Sequence, residues 1–185
     1  MGGEDIPELM PQARSRAWQN VKFRNQSDRK SMDSAKKRAA YGRIQTQLKS
    51  LLTKSTDAEA RMASIVALLH HKMNHFFWTG FYGLRDGRLV VKMYQGPIAC
   101  MELQKDTGVC WAAINAGKSI VVPDVELFPG HIACDSRSKS EICVPLRDKS
   151  GAVTAVLDID SDVPGNFDEV DAEEIEKILA LVNEV

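Results

Sequence analysis

The hydrophobic period of this chain changes from helical to alternating at Phe76, and that change restricts the fold more than any other feature. Before it, Tyr41, Ile44, Leu48, Leu51 and Leu52 recur at helical spacing and predict an amphipathic helix over about 33–53. Met62, Ile65, Val66, Leu69 and Met73 make the stripe of a second helix. Thr56 and Glu59 stand before it in capping-box spacing, and His70-His71 lies at its C-terminal end, where positive charge is favoured. From Phe76 the period is two. Segments 76–85 and 89–95 read as strands, and Asp86-Gly87 between them is a hairpin signal.

Beyond the hairpin, 107–116 reads as a short helix and 120–122 as a short strand, and 123–140 has no regular pattern. Irregular stretches of that length inside a compact domain are usually functional or disordered. Segments 141–147 and 152–160 read as strands joined by a turn at 148–151. Asp168 caps a last helix with the stripe Ile175, Ile178, Leu179 and Val182. Hairpins dominate and obvious βαβ crossovers are lacking. The expected fold class is therefore α+β, a mostly antiparallel central sheet with N- and C-terminal helices packed on one face.

Length and composition allow one such domain. The chain has 185 residues, 44% of them hydrophobic and 26% charged, which excludes wholesale disorder and favours a single core. No apolar run approaches the roughly 18 residues of a membrane-spanning helix. Charge is unevenly placed. Residues 11–50 carry eleven Lys/Arg against two acids, and 158–185 carry ten acids against one Lys. The two ends can attract each other, or the basic end can meet nucleic acid or anionic lipid. The basic residues lack the interleaved aromatics of a single-strand-binding surface, so neither nucleic acid nor membrane is expected as a partner. Residues 1–32 read as a flexible basic extension and 33–185 as the domain. Four cysteines without a secretory signal point to a reducing compartment, the cytoplasm.

Strand alternation places chemistry on particular faces. Trp78, Gly80 and Tyr82 share one, either a ligand slot with an aromatic wall or an aromatic core pair. Asp158 and Asp160 share the face opposite Ala155, Leu157 and Ile159, and Glu141 can join them from the neighbouring strand. Clustered carboxylates repel, so some stay protonated near neutral pH and can donate a proton. The same acids also suit a solvated strand end or a Mg²⁺ or Ca²⁺ site. The cysteines fall at 100, 110, 134 and 143. Cys143 sits within a strand and is expected to pack there. Cys134 lies in the irregular segment within Gly130-His131-Ile132-Ala133-Cys134-Asp135, where loop N–H groups can stabilise a thiolate or an oxyanion. The spacing of Cys100, Cys110, His131 and Cys134 admits zinc, but without the close CxxC pair of most structural sites no metal is expected. Gly117-Lys118-Ser119 resembles the end of a P-loop, yet Ala112 replaces the first glycine and a strand follows, so phosphate binding is discounted.

Several stretches together resemble the free methionine-(R)-sulfoxide reductases, a family built on the GAF fold. They are Trp78-Thr79-Gly80-Phe81-Tyr82, Gln95-Gly96-Pro97-Ile98-Ala99-Cys100, Gly108-Val109-Cys110, Phe128-Pro129-Gly130-His131-Ile132-Ala133-Cys134-Asp135, Ser140-Glu141-Ile142 and Val156-Leu157-Asp158-Ile159-Asp160-Ser161. The resemblance covers about residues 40–182. It implies reduction of free L-methionine-(R)-sulfoxide, with Cys134 as nucleophile and a carboxylic acid among Glu141, Asp158 and Asp160 as proton donor. The same acids are implied to bind the substrate's amino group. It implies that Cys134 passes through a sulfenic acid to a disulfide with Cys100, with Cys110 as a third redox cysteine that resolves or relays. Trp78 and Tyr82 are implied to line the methyl-sulfoxide pocket. Backbone N–H groups around Ile132, Ala133 and Cys134 are implied to face the sulfoxide oxygen or the carboxylate. No bound cofactor is implied. The external reductant is a thioredoxin-like protein supplied by NADPH, and a homodimer is compatible. Trp111 departs from the family's glycine after the second cysteine, and Met101-Glu102-Leu103-Gln104 departs from its Arg- and Pro-containing segment. The competing reading is a non-catalytic GAF module that binds a small ligand or senses redox state.

Overall fold

The computed structural model describes residues 33–131 and 134–184. The expected extension at 1–32 lies outside them. Helices α1 (Ser34–Leu52) and α2 (Ala58–Lys72) precede strands β1 (Trp78–Arg85), β2 (Arg88–Gln95) and β3 (Glu102–Leu103). Helix α3 (Gly108–Ala116), strands β4 (Ile120–Val122), β5 (Ser140–Arg147) and β6 (Val153–Ser161), and helix α4 (Glu169–Ala180) complete the order. The strands form one six-stranded sheet, β3-β2-β1-β6-β5-β4, with every pairing antiparallel. This is the α+β architecture expected from the sequence.

The hairpin at Asp86-Gly87 forms because both residues take positive φ, 50° and 72°. A two-residue turn of that hand matches the twist of the strands it joins. Strand β3 was not legible from periodicity, being two residues long. One helix start differs from expectation. Asp57 caps α2, accepting from Ala60 N at 2.7 Å, so the Thr56/Glu59 capping box is not used. An aspartate is the stronger acceptor for a helix N-terminus, and Glu59 instead pairs with Lys92 at 2.6 Å. The expected cap at Asp168 does form, as a reciprocal capping box with Asp171.

Two apolar layers sandwich the sheet. On one face Phe81, Ile142, Val144, Leu157 and Ile159 pack against the stripes of α1, α2 and α4. On the other, Trp78, Tyr82, Cys143 and Val156 pack against Val109, Cys110, Trp111 and Ala113 of α3. The terminal helices thus share one face as expected, and α3 with the long connections covers the opposite one. There Trp111, at the family's glycine position, is buried, and its Nε1 donates to Leu103 O at 3.5 Å, tying α3 to β3.

The uneven charge of the sequence closes α1 onto α4. Lys37 is 1% exposed. Its ammonium pairs with Asp168 at 3.0 Å and with Asp171, and donates to Asn166 O at 3.2 Å. Tyr41 donates to the other oxygen of Asp171 at 2.8 Å. Arg38 reaches Glu173 and Glu174 at 2.7 and 2.9 Å. Removing one member of a buried ion pair leaves the other uncompensated. Lys37→Met should therefore destabilise the fold by about 3–5 kcal/mol in urea unfolding, whereas Arg38→Met, half-exposed, should cost less than about 1 kcal/mol.

Candidate active site

The register of β6 between its two neighbours assembles the site. Asp160 stands opposite Trp78 on β1 and Glu141 on β5, and Asp158 stands opposite Gly80 and Cys143. Because side chains alternate, these two rows point away from the helical core, toward α3. They form the floor of a cleft of about 610 Å³, counting its open mouth. That is an ordinary size for a small-ligand site. Its other walls come from Trp78 and Tyr82, from Pro97, Ile98 and Ala99, from Val109 and Cys110 of α3, and from His131, Cys134 and Ser138.

Glycine makes the aromatic wall possible. A Cβ at Gly80 would lie 2.4 Å from the Trp78 ring and 2.5 Å from Tyr94 Cβ. The indole folds over this gap and stacks on Tyr82 and Tyr94, with centroids 5.9 and 5.4 Å away. Trp78 and Tyr82 are therefore both packed and pocket-lining. Their polar tips hold the loop after β2. Trp78 Nε1 donates to Pro97 O at 3.2 Å and Tyr82 Oη to Cys100 O at 3.1 Å.

That anchoring sets Cys100 beside the loop that carries Cys134. The two sulfurs are joined in a disulfide, with Cα atoms 5.6 Å apart. Cys134 is exposed at the cleft mouth. Ile132 and Ala133 lie outside the described residues. Cys110 is not in the disulfide. It is a buried thiol 3.5 Å from the sulfur of Cys143. The spacing that admitted zinc at Cys100, Cys110, His131 and Cys134 is accordingly not assembled, since two of those sulfurs bond each other and a third faces β5.

The acids carry the electrostatics. Burial first and the Glu141 charge second push the Asp160 carboxyl up to about 7, against the opposing effect of the Ser138 hydroxyl, which donates to Asp160. Burial also holds Asp158 well above the ordinary carboxylate range, reinforced by Cys110, Asp160 and Glu141. His131 Nε2 lies 3.4 Å from Glu141 Oε2, and that contact raises the imidazole's pKa. The cleft thus combines an oxidisable cysteine pair at its mouth with protonated carboxyl groups on its floor. Ser138 and the His131–Glu141 contact had no sequence signal beyond their place in the irregular segment. Cys143 did have one, because it is two residues from Glu141 and must share its face.

A GAF domain family model matches residues 55–183. The chain is 45% identical to GAF domain-containing protein A of Dictyostelium discoideum, over 80% of this chain and 92% of that one. It is 37% identical to the free methionine-R-sulfoxide reductase of Escherichia coli, over 78% and 87%. Among solved structures, the free methionine-R-sulfoxide reductase of Neisseria meningitidis in complex with its substrate superposes with a TM-score of 0.75 at 38% identity, covering 79% of this chain and 87% of that one.

The glycine gap is directly testable. Gly80→Ala should force the indole off the strand, cost about 1–3 kcal/mol in thermal or urea unfolding, and change the Trp78 fluorescence spectrum.

Proposed function

The chain belongs to the GAF-domain family of free methionine-R-sulfoxide reductases, and on that premise we propose that it reduces free L-methionine-(R)-sulfoxide at the Cys134 cleft. The observation that carries this reading is the Cys100–Cys134 disulfide beside a row of carboxyl groups with raised pKa values. A ligand-binding module needs neither feature.

The Cys134 thiolate attacks the sulfoxide sulfur. The sulfoxide oxygen takes a proton from the acidic floor and is left on Cys134 as a sulfenic acid, while methionine departs. The Cys100 thiolate then attacks the Cys134 sulfur, water leaves, and the disulfide forms. One sulfoxide is reduced for each pair of thiols oxidised. Trp78 and Tyr82 form an apolar wall suited to the methyl-bearing end of the substrate. An ionised carboxylate of the acidic row, beside the protonated donor, is the counter-charge for its free ammonium. Backbone N–H groups around residues 132–134 are assigned to the sulfoxide oxygen or the carboxylate. Cys110, buried against Cys143, is held in reserve from the first disulfide. Thiol exchange with a thioredoxin-like protein fed by NADPH restores the exposed pair, a cycle suited to the reducing cytoplasm.

Asp160 is the proton donor in this scheme. Its raised pKa keeps the carboxyl protonated up to about 7, so the donating form is lost as pH rises through that value. The single-turnover rate should fall above about pH 7 after correction for Cys134 thiolate formation. Asp160→Asn should lower that rate by about 10²–10⁴-fold and abolish this limb. An unchanged pH profile in the variant would remove Asp160 from the role.

Substrate choice follows from the charge. N-acetylation removes the ammonium, so N-acetyl-methionine sulfoxide should lose about 2–5 kcal/mol of transition-state binding, read as kcat/KM. In an NADPH-coupled assay with separate epimers, turnover should be confined to the R form and vanish in Cys134→Ser. Equal turnover of both epimers, or full activity in the variant, would contradict the reading.

A further inference from the structure

At the cleft floor a second sulfur pair, which the reaction above does not use, meets two acids of the row that it does use. Cys143 is completely buried, 3.5 Å from the Cys110 sulfur. Its thiol donates to Glu141 Oε1 at 3.1 Å and lies 3.5 Å from Asp158 Oδ1. One donor atom from each of Cys110, Glu141, Cys143 and Asp158 falls within 4.8 Å of all the others, and all four residues are buried. We propose that these four residues form a binding site for one thiophilic divalent ion of the zinc type.

The fold makes the arrangement. Glu141 and Cys143 are two apart on β5 and so share a face, and Asp158 is the register partner of Cys143 on β6. Cys110, in the first turn of α3, comes down onto that row from above. The spacing suits a tetrahedron. Zinc–sulfur bonds of about 2.3 Å set two sulfurs about 3.8 Å apart, and a sulfur and an oxygen about 3.6 Å apart. The observed separations are 3.5 Å between sulfurs and 3.1 and 3.5 Å from Cys143 to the two oxygens. The remaining donor pairs lie within 4.8 Å of each other.

Charge and softness point the same way. Buried acidic groups are normally paired with cations or coordinated to metal. Among the described residues His131 lies at the far oxygen of Glu141 at 3.4 Å, where it fixes the carboxylate as an outer-shell partner should. Two sulfur donors favour zinc, cobalt or similar ions over magnesium and calcium. Binding replaces the two thiol protons, and the proton carried by the Asp158 carboxyl, with the ion. The way in is the cleft itself, whose lining includes Cys110, Glu141 and Asp158.

The disulfide form of the full chain gives a clean test. The protein has four cysteines. With Cys100 and Cys134 bonded to each other, the thiols left are Cys110 and Cys143. Cobalt(II) added to this form should bind one ion per chain and release about two to three protons, two from the thiols and the third from Asp158. It should produce a thiolate-to-cobalt charge-transfer band with the intense visible bands of a tetrahedral site, and zinc should bleach both. Cys143→Ala should weaken binding by at least about tenfold and remove the charge-transfer band. Cys143→Ser, which keeps the side-chain volume, should do the same, and circular dichroism of both variants should match wild type. A weak octahedral cobalt spectrum in the wild type, or a spectrum unchanged by either substitution, would overturn the proposal. The readout is independent of reductase activity, so its failure leaves the reductase reading standing.

Discussion

The register of β6 between β1 and β5 is the constraint on which the site depends. It sets Asp160 in line with Trp78 and Glu141, and Asp158 in line with Gly80 and Cys143. A slip of β6 by one residue would turn Asp158 and Asp160 into the helical core and send Leu157 and Ile159 into the cleft. The buried face of α1, α2 and α4 prevents that slip, because Phe81, Ile142, Leu157 and Ile159 are fully enclosed there. Apolar packing on one side of the sheet thus fixes the chemistry on the other.

The same economy governs the cysteines. Trp78 and Tyr82 wall the cleft with their rings and hold the Cys100 loop with their polar tips. The aromatic wall and the placement of Cys100 are therefore coupled through two side chains. Asp158 and Asp160 gain their raised pKa values from burial and from the neighbouring acidic groups. A floor of this kind stays partly protonated where an exposed strand end would be fully ionised. The raised carboxyl and the cysteine are brought into one cleft by long-range pairing, since Cys134 and Asp160 are far apart in the chain.

Much of this was legible in the sequence for a physical reason. Periods of 3.6 and 2 report local structure, and they placed the hairpin, the long helices and the shared faces of Trp78/Tyr82 and Asp158/Asp160. What periodicity could not report was pairing between distant segments. The two-residue β3 is too short for a pattern, and the cap of α2 moved from Thr56 to Asp57 because the charged acceptor competes better. The partner of Cys100 entered only through family resemblance, and spacing alone left zinc open. Cys143 was read as packed, which it is, but its contact with Cys110 depends on how α3 docks. The attraction between the basic and acidic ends took definite form in Lys37 and Arg38 against α4.

The central claim is that the exposed cysteine pair, and not the buried one, completes the first reduction. The most direct measurement is a single turnover of fully reduced protein with one equivalent of free methionine-(R)-sulfoxide and no external reductant, quenched in acid and mapped by mass spectrometry after thiol alkylation. The account predicts one methionine per chain, a Cys100–Cys134 disulfide, and alkylated Cys110 and Cys143. Methionine release accompanied by a first disulfide at Cys110, or by no disulfide at all, would contradict it.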